Sequence, residues 1–181
     1  MSSKKKKRNM NDEKILRKLF IGGLCNLFVI TFGVQGLDSH SAVQDNVEFI
    51  FYNDTTTWDG GQERCKENGG YLVTLETTRK WEFISQEIRN LSCPRQDEWY
   101  IGLHFTGQNW TWINGEPATE SNLLWQPREP SGDGKCVVIA KEYPSTTYGK
   151  YNDLSCETYK GFICEVKLPA GKNRLYNLSK N

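Results

Sequence analysis

Histidine is scarce in this chain: only His40 and His104 occur in 181 residues, and no Ser/His/Asp or Cys/His arrangement for nucleophilic catalysis is suggested around them. No close C-x-x-C pair is present, which removes the spacing a structural zinc site needs. The Gly132-Asp133-Gly134 stretch lacks the Lys-Ser/Thr neighbourhood of a phosphate-binding loop. Acidic residues are plentiful, but no motif pairs two of them for acid–base work. These absences exclude the common enzyme classes and leave binding as the function to look for. Six cysteines are too few for a dense disulfide knot, yet more than a cytosolic chain of this size usually carries.

What is present is unevenly distributed. The formal charge of +1 is the sum of two unlike parts. Residues 1–19 hold eight Lys/Arg against Asp12 and Glu13, a net of +6, which leaves −5 on the rest. Lys4 to Arg8 alone would pass for a nuclear-localisation or nucleic-acid patch. However, Leu19 to Val34 (LFIGGLCNLFVITFGV) then runs sixteen residues without a charge. A cationic head before an apolar run is the pattern of membrane targeting, with the cations held on the cytoplasmic side. Residues 1–19 therefore read as a basic cytoplasmic head or n-region, and residues 20–36 as a membrane anchor or a signal peptide. As an anchor the run is short, against about 20 apolar residues for a full span. As a signal peptide it offers the small-residue site Val34-Gln35-Gly36. Either reading exports everything after about residue 37, to the cell surface or as a secreted protein, and implies no nucleic-acid partner.

The sequons at Asn53, Asn90, Asn109 and Asn177 all lie beyond the apolar run and are candidate glycosylation sites. Cys25 lies inside that run. Cys65, Cys93, Cys136, Cys156 and Cys164 are left in an oxidising compartment, which gives two bridges and one spare thiol; spacing alone does not choose the pairing.

Residues 37–46 are polar and read as a linker. Val47–Tyr52 reads as a strand, and a short helix is expected from near Thr57, weakened by Gly60 and Gly61. A brief strand at 71–75 follows, then a second helix over 77–90, where Trp81, Ile84 and Ile88 recur at helical spacing. Strands are expected at 99–103, 110–113, 136–140 and 161–165. Between them, residues 114–134 are rich in Gly, Pro, Glu, Asn and Ser. An irregular loop of about 20 residues inside a compact domain is usually functional. Residues 168–181 form a polar tail.

From Val47 to Lys167 the chain resembles a C-type lectin-like domain. The matching residues run in order: Trp58 before Cys65; Gly69-Gly70-Tyr71-Leu72-Val73; Tyr100-Ile101-Gly102-Leu103; Trp110-Thr-Trp112-Ile-Asn114-Gly115; Trp125; Cys136-Val137; Tyr151-Asn152-Asp153 ahead of Cys156; and Phe162-Ile163-Cys164-Glu165. The resemblance implies an α+β fold with two helices, small antiparallel sheets, a long irregular ligand loop and the disulfides Cys65–Cys164 and Cys136–Cys156. Cys93 is then the spare cysteine, either buried or linking two chains into a covalent dimer.

Sugar-binding members of the family hold Ca²⁺ in the long loop with a Glu-Pro-Asn triplet, a Glu just before the third cysteine and an Asn-Asp pair before the fourth. The ion is hard and takes 6–8 oxygen ligands. In this chain Glu129-Pro130 is present, Ser131 stands for the Asn, Gly134 for the upstream Glu, and Asn152-Asp153 is intact, with Asp133 close enough in sequence to substitute. The resemblance thus implies a carbohydrate-binding lectin using Ca²⁺, with metal ligands Glu129, Ser131, Asp133, Asn152 and Asp153. Of these, Glu129, Ser131, Asn152 and Asp153 would also touch the glycan or glycoprotein. The alternative is a Ca²⁺-independent receptor domain with a protein ligand, presenting Trp125, Glu116, Glu120 and Arg128 on the loop surface. Trp110 and Trp112 share one face of a strand and are expected in the core.

Overall fold

The computed structural model describes residues 39–91, 97–141 and 148–169. The expectations for residues 1–19 and 20–36, Cys25, Cys93 and Asn177 lie outside these residues.

Eight strands and two helices form the domain. In chain order they are β1 (Ser39–Gln44), β2 (Val47–Thr56), α1 (Trp58–Glu67), β3 (Tyr71–Leu72), α2 (Thr78–Asn90), β4 (Glu98–Phe105), β5 (Trp110–Trp112), β6 (Cys136–Ala140), β7 (Tyr151–Leu154) and β8 (Lys160–Lys167). The strands join into one sheet ordered β1-β2-β8-β4-β6-β7, with β3 on β8 and β5 on β4. The β4–β8 pair is parallel and the other pairs are antiparallel, so the sheet is mixed where small antiparallel sheets were expected. The physical reason is the long excursion between these strands, which gives the chain room to re-enter the sheet in the same direction.

Alternation along the central strands builds a core on each side of this sheet. Trp99, Ile101, Leu103, Val137, Ile139 and Ile163 point to one side, where Ile84 and Ile88 of α2 join them. Tyr100, Cys136, Val138, Phe162 and Cys164 point to the other, where α1 contributes Trp58 and Cys65. Each helix opens on a threonine cap: Thr57 Oγ1 accepts the Gly60 amide and Thr77 Oγ1 the Lys80 amide, both at 3.2 Å. The glycine that weakens α1 in isolation is used by the packing. A Cβ at Gly61 would lie 3.3 Å from the Phe162 side chain, so the bare backbone lets the helix settle against β8.

The stretch 37–46 is not simply a linker. Ser39–Gln44 pairs in continuous register with Val47–Tyr52 across a turn in which Asp45 and Asn46 both have positive φ, 50° and 66°. Two such residues suit the tight hairpin turn, since Asn and Asp tolerate this conformation better than other side chains. Only Ala42 of β1 is buried, so the strand carries almost no apolar signal. Strand β7 was likewise unmarked in sequence, because Asn152-Asp153 has low strand propensity.

The two bridges form as the family pairing implies. Cys65–Cys164 joins α1 to β8, with Cα atoms 5.3 Å apart, and Cys136–Cys156 joins the start of β6 to the turn after β7, at 5.1 Å. The first spans 99 residues, for which restricting the unfolded chain contributes about 4–5 kcal/mol in the entropic account.

Candidate functional site

The segment between β5 and β6 has no helix or strand, as the composition of residues 114–134 implied. It is nonetheless tied down at both ends. Asn114 donates to Thr74 Oγ1 at 3.2 Å, and the buried Asn122 donates to the Glu76 carbonyl at 3.3 Å. Beneath these contacts Lys80 Nζ lies 2.9 Å from both Glu76 and Glu165, and Glu165 also accepts the Thr74 amide at 2.9 Å. Glu165 is only 5% exposed, so the Lys80 ammonium supplies the countercharge its carboxylate needs. Burial opposes ionisation of Glu76, but the hydrogen bond and charge of Lys80, together with hydrogen bonds from its own backbone and from Thr74, outweigh it and hold the carboxyl below its ordinary value.

The far arm of the loop carries the residues singled out in sequence. Arg128 adopts a positive φ of 76°, and the Glu129-Pro130 bond that follows is cis. Asp153, on β7, then meets the segment after Pro130. Its Oδ1 accepts the Ser131 amide at 2.7 Å and the Ser131 hydroxyl at 3.4 Å. Its Oδ2 accepts the amides of Gly132 and Gly134 at 3.0 and 3.3 Å. Four hydrogen bonds from the Ser131–Gly134 segment thus converge on one carboxylate. Asp153 is fully buried. Burial alone would raise its carboxyl, but the hydrogen bonds from Glu129 and from the Ser131, Gly134 and Gly132 amides outweigh that and hold it below the ordinary value. Glu129 folds back to accept the Ser131 amide at 2.8 Å. Burial, then the hydrogen bond and charge of Asp153 beside it, push the Glu129 carboxyl up.

These residues do not fit a calcium ion as they stand. The carboxylate lone pairs that would face the ion face backbone amides instead. Gly134 occupies the place of the expected Glu, and a Cβ there would lie 1.8 Å from the Leu154 carbonyl carbon and 1.9 Å from its oxygen. The ligand is therefore excluded by backbone contact, not merely replaced. Asp133 is exposed and lines a groove with Phe105, Trp110 and Lys135. Asn152 is half-buried, and no hydrogen bond to its side chain forms among the described residues. Among those residues no group of three or more His, Cys, Asp or Glu side chains converges where a metal could sit.

Residues 54–166 match the model of the lectin C-type domain. The chain belongs to the C-type lectin family. C-type lectin domain family 4 member A of Mus musculus is 30% identical over 115 residues, covering 62% of this chain and 45% of that protein. C-type mannose receptor 2 of Mus musculus is 32% identical over 144 residues, covering 74% of this chain and 8% of that protein. The chain thus spans about half or less of the length of these relatives. The solved C-type lectin domain of murine dendritic cell inhibitory receptor 2, in complex with N-glycan, superposes with a TM-score of 0.61 at 25% identity, covering 70% of this chain and 95% of that one. A calcium-independent type II antifreeze protein shares the fold, with a TM-score of 0.57 at 18% identity, covering 70% of this chain and 91% of that one.

Within this C-type lectin domain the remaining sequence candidates separate. Glu116, Glu120 and Arg128 are exposed on the loop surface. Trp125 is not presented with them, because its ring packs between Trp110 at 4.9 Å and Tyr151 at 6.1 Å. Trp112 is fully buried as expected, whereas Trp110 is half-buried. Asn90 and Asn109 are exposed, while Asn53 has a buried side-chain oxygen without a partner among the described residues. The sequence reading missed the amides of Ser131, Gly132 and Gly134 as the partners of Asp153. The one signal available was Gly134 itself, standing where a side chain was due.

Proposed function

We propose that the chain is an extracellular, non-catalytic recognition domain, at the cell surface or secreted, that binds a glycan or glycoprotein through its long-loop face without a calcium ion there. The observation that carries the calcium-free reading is the Asp153 carboxylate, already engaged by the Ser131 hydroxyl and by three backbone amides of the segment a bound ion would otherwise have to organise. An anion gripped by successive amides is a stable arrangement in its own right, because each bond to an ionised acceptor contributes more than a neutral one. The glycan side of the reading is supported by the relative solved in complex with N-glycan. A glycan array probed with the full-length chain tests both halves: signal that survives EDTA is expected, and signal abolished by EDTA overturns the calcium-free reading.

The second reading is a calcium-dependent lectin, favoured by the retained Glu129-Pro130 and Asn152-Asp153 residues. It requires Asp153 to release its amides when the ion enters. A rise in melting temperature on adding millimolar Ca²⁺ would support it.

A further inference from the structure

A groove of about 380 Å³ lies between the tip of the β4–β5 hairpin and the segment before Cys136, lined by Phe105, Trp110, Pro130, Asp133 and Lys135 together with two glycines. None of its aromatic residues belongs to the set Glu129, Ser131, Asn152 and Asp153. We propose that this groove is a metal-free subsite for one neutral pyranose residue, whose apolar ring face packs on Trp110 and Phe105 while its hydroxyls meet Asp133 and Lys135. The inference rests on the calcium-free reading above and names where and how that recognition occurs.

Both walls are held in place before any ligand arrives. On one side Phe105 and Trp110 are cross-strand neighbours with ring centroids 5.3 Å apart. Trp110 is backed by Trp125, Trp125 by Tyr151 and Tyr151 by Trp112, the last two fully buried. A chain of edge-on rings therefore connects the platform to the core. On the other side the Asp153 carboxylate grips the amides of Ser131, Gly132 and Gly134 and so fixes the backbone that carries Asp133. The Phe105 amide donates to the Lys135 carbonyl at 2.8 Å and joins the two walls. Little conformational freedom is left to lose on binding, which favours affinity.

The chemistry at the mouth selects the ligand class. Asp133 and Lys135 are exposed, and neither side chain forms a hydrogen bond or ion pair among the described residues. One carboxylate and one ammonium supply acceptors and donors but balance in charge, so the mouth favours neither a cation nor an anion. A ligand that matches this surface has a flat apolar face and a rim of hydroxyls able both to donate and to accept. A pyranose has that shape. The volume falls within the range of small-molecule sites, about 300–1,000 Å³.

The test is intrinsic tryptophan fluorescence of the full-length chain in EDTA, titrated with the methyl glycosides of glucose, mannose, galactose and N-acetylglucosamine. A saturable change is expected with at least one of them, and Trp110→Leu and Asp133→Asn should each weaken it about tenfold. Such a loss corresponds to about 1.4 kcal/mol. Because Trp110→Leu also removes a fluorophore, the affinity of that variant is read from saturation-transfer NMR on the glycoside protons. No saturable response with any glycoside overturns the proposal, as does unchanged affinity in both variants. Glycan-array signal in EDTA that persists in both variants sinks the groove while leaving the calcium-free function standing; signal that requires calcium sinks both.

Discussion

Asp153 and Ser131 stand 22 residues apart in sequence, and the carboxylate of the first accepts the backbone amide of the second at 2.7 Å. With the Gly132 and Gly134 amides on its other oxygen, this one side chain fastens the end of the long loop to β7. Cys136–Cys156 pins the same region covalently, so the far end of the loop is held to the sheet by one hydrogen-bonded carboxylate and one disulfide.

Replacing Asp153 by Asn leaves a single carbonyl oxygen and turns an amide donor toward other donors. Hydrogen bonds to an ionised acceptor contribute about 1.5–3 kcal/mol each in favourable cases, and leaving a buried donor unpaired adds to the loss. Asp153→Asn should therefore destabilise the domain by about 3 kcal/mol in urea unfolding. A variant as stable as the parent would show that the amides find equivalent partners.

Gly134→Glu restores the calcium ligand that the family pattern calls for, but its Cβ would meet the Leu154 backbone at 1.8 Å. Overpacking of this kind costs about 1–3 kcal/mol. The expected outcome is a lower melting temperature with no gain in terbium binding. A gain in lanthanide luminescence would mean that the backbone at Leu154 yields.

Lys80→Met removes the cation between Glu76 and Glu165. Breaking one side of a buried pair costs about 3–5 kcal/mol, because the other charge is left uncompensated. Adding Glu165→Gln to Lys80→Met should recover a substantial part of that loss, measured as non-additivity in a double-mutant cycle. Simple additivity would mean that the two groups are not coupled.

The pH dependence has a definite sign. Burial lowers the His104 imidazole below its ordinary 6.5, only partly offset by the Thr111 hydrogen bond and the charge of Asp59. Stability from a depressed group is present above the unfolded value and is lost as pH falls through the folded one. The domain should therefore begin to lose stability just below about pH 6.5, and His104→Gln should remove that first part of the slope. Asp153 and Glu76, both held below their ordinary 3.8 and 4.5, give a second loss at lower pH by the same sign. Glu129, pushed up, acts in the opposite sense, and its contribution fades as pH rises through its folded value. Thermal melts across pH 3–8 check the shape; a flat profile between pH 5 and 7 would exclude the His104 contribution.

Much of the scaffold was legible because its signals are local. Thr57 and Thr77 announce the two helices by their capping chemistry, and Ile84 and Ile88 lie four residues apart on the face that packs into the core. Apolar runs such as Cys136–Ala140 mark strands buried on both sides. Strand β1 was not legible, since a hairpin that buries only Ala42 leaves no apolar pattern to read. Trp125 was misjudged for the complementary reason: an aromatic in a polar loop reads as exposed until its neighbours Trp110 and Tyr151 are known.

The sequence alone determined the family, the loop that interrupts the sheet and the residues that would be asked to hold calcium. Tertiary structure decided what those residues do. Side-chain identity specifies which atoms are available for coordination, but not which donors already occupy their lone pairs. For Asp153 those donors are amides brought to it from 19 to 22 residues away. For position 134, the backbone of Leu154 leaves no space for any side chain at all.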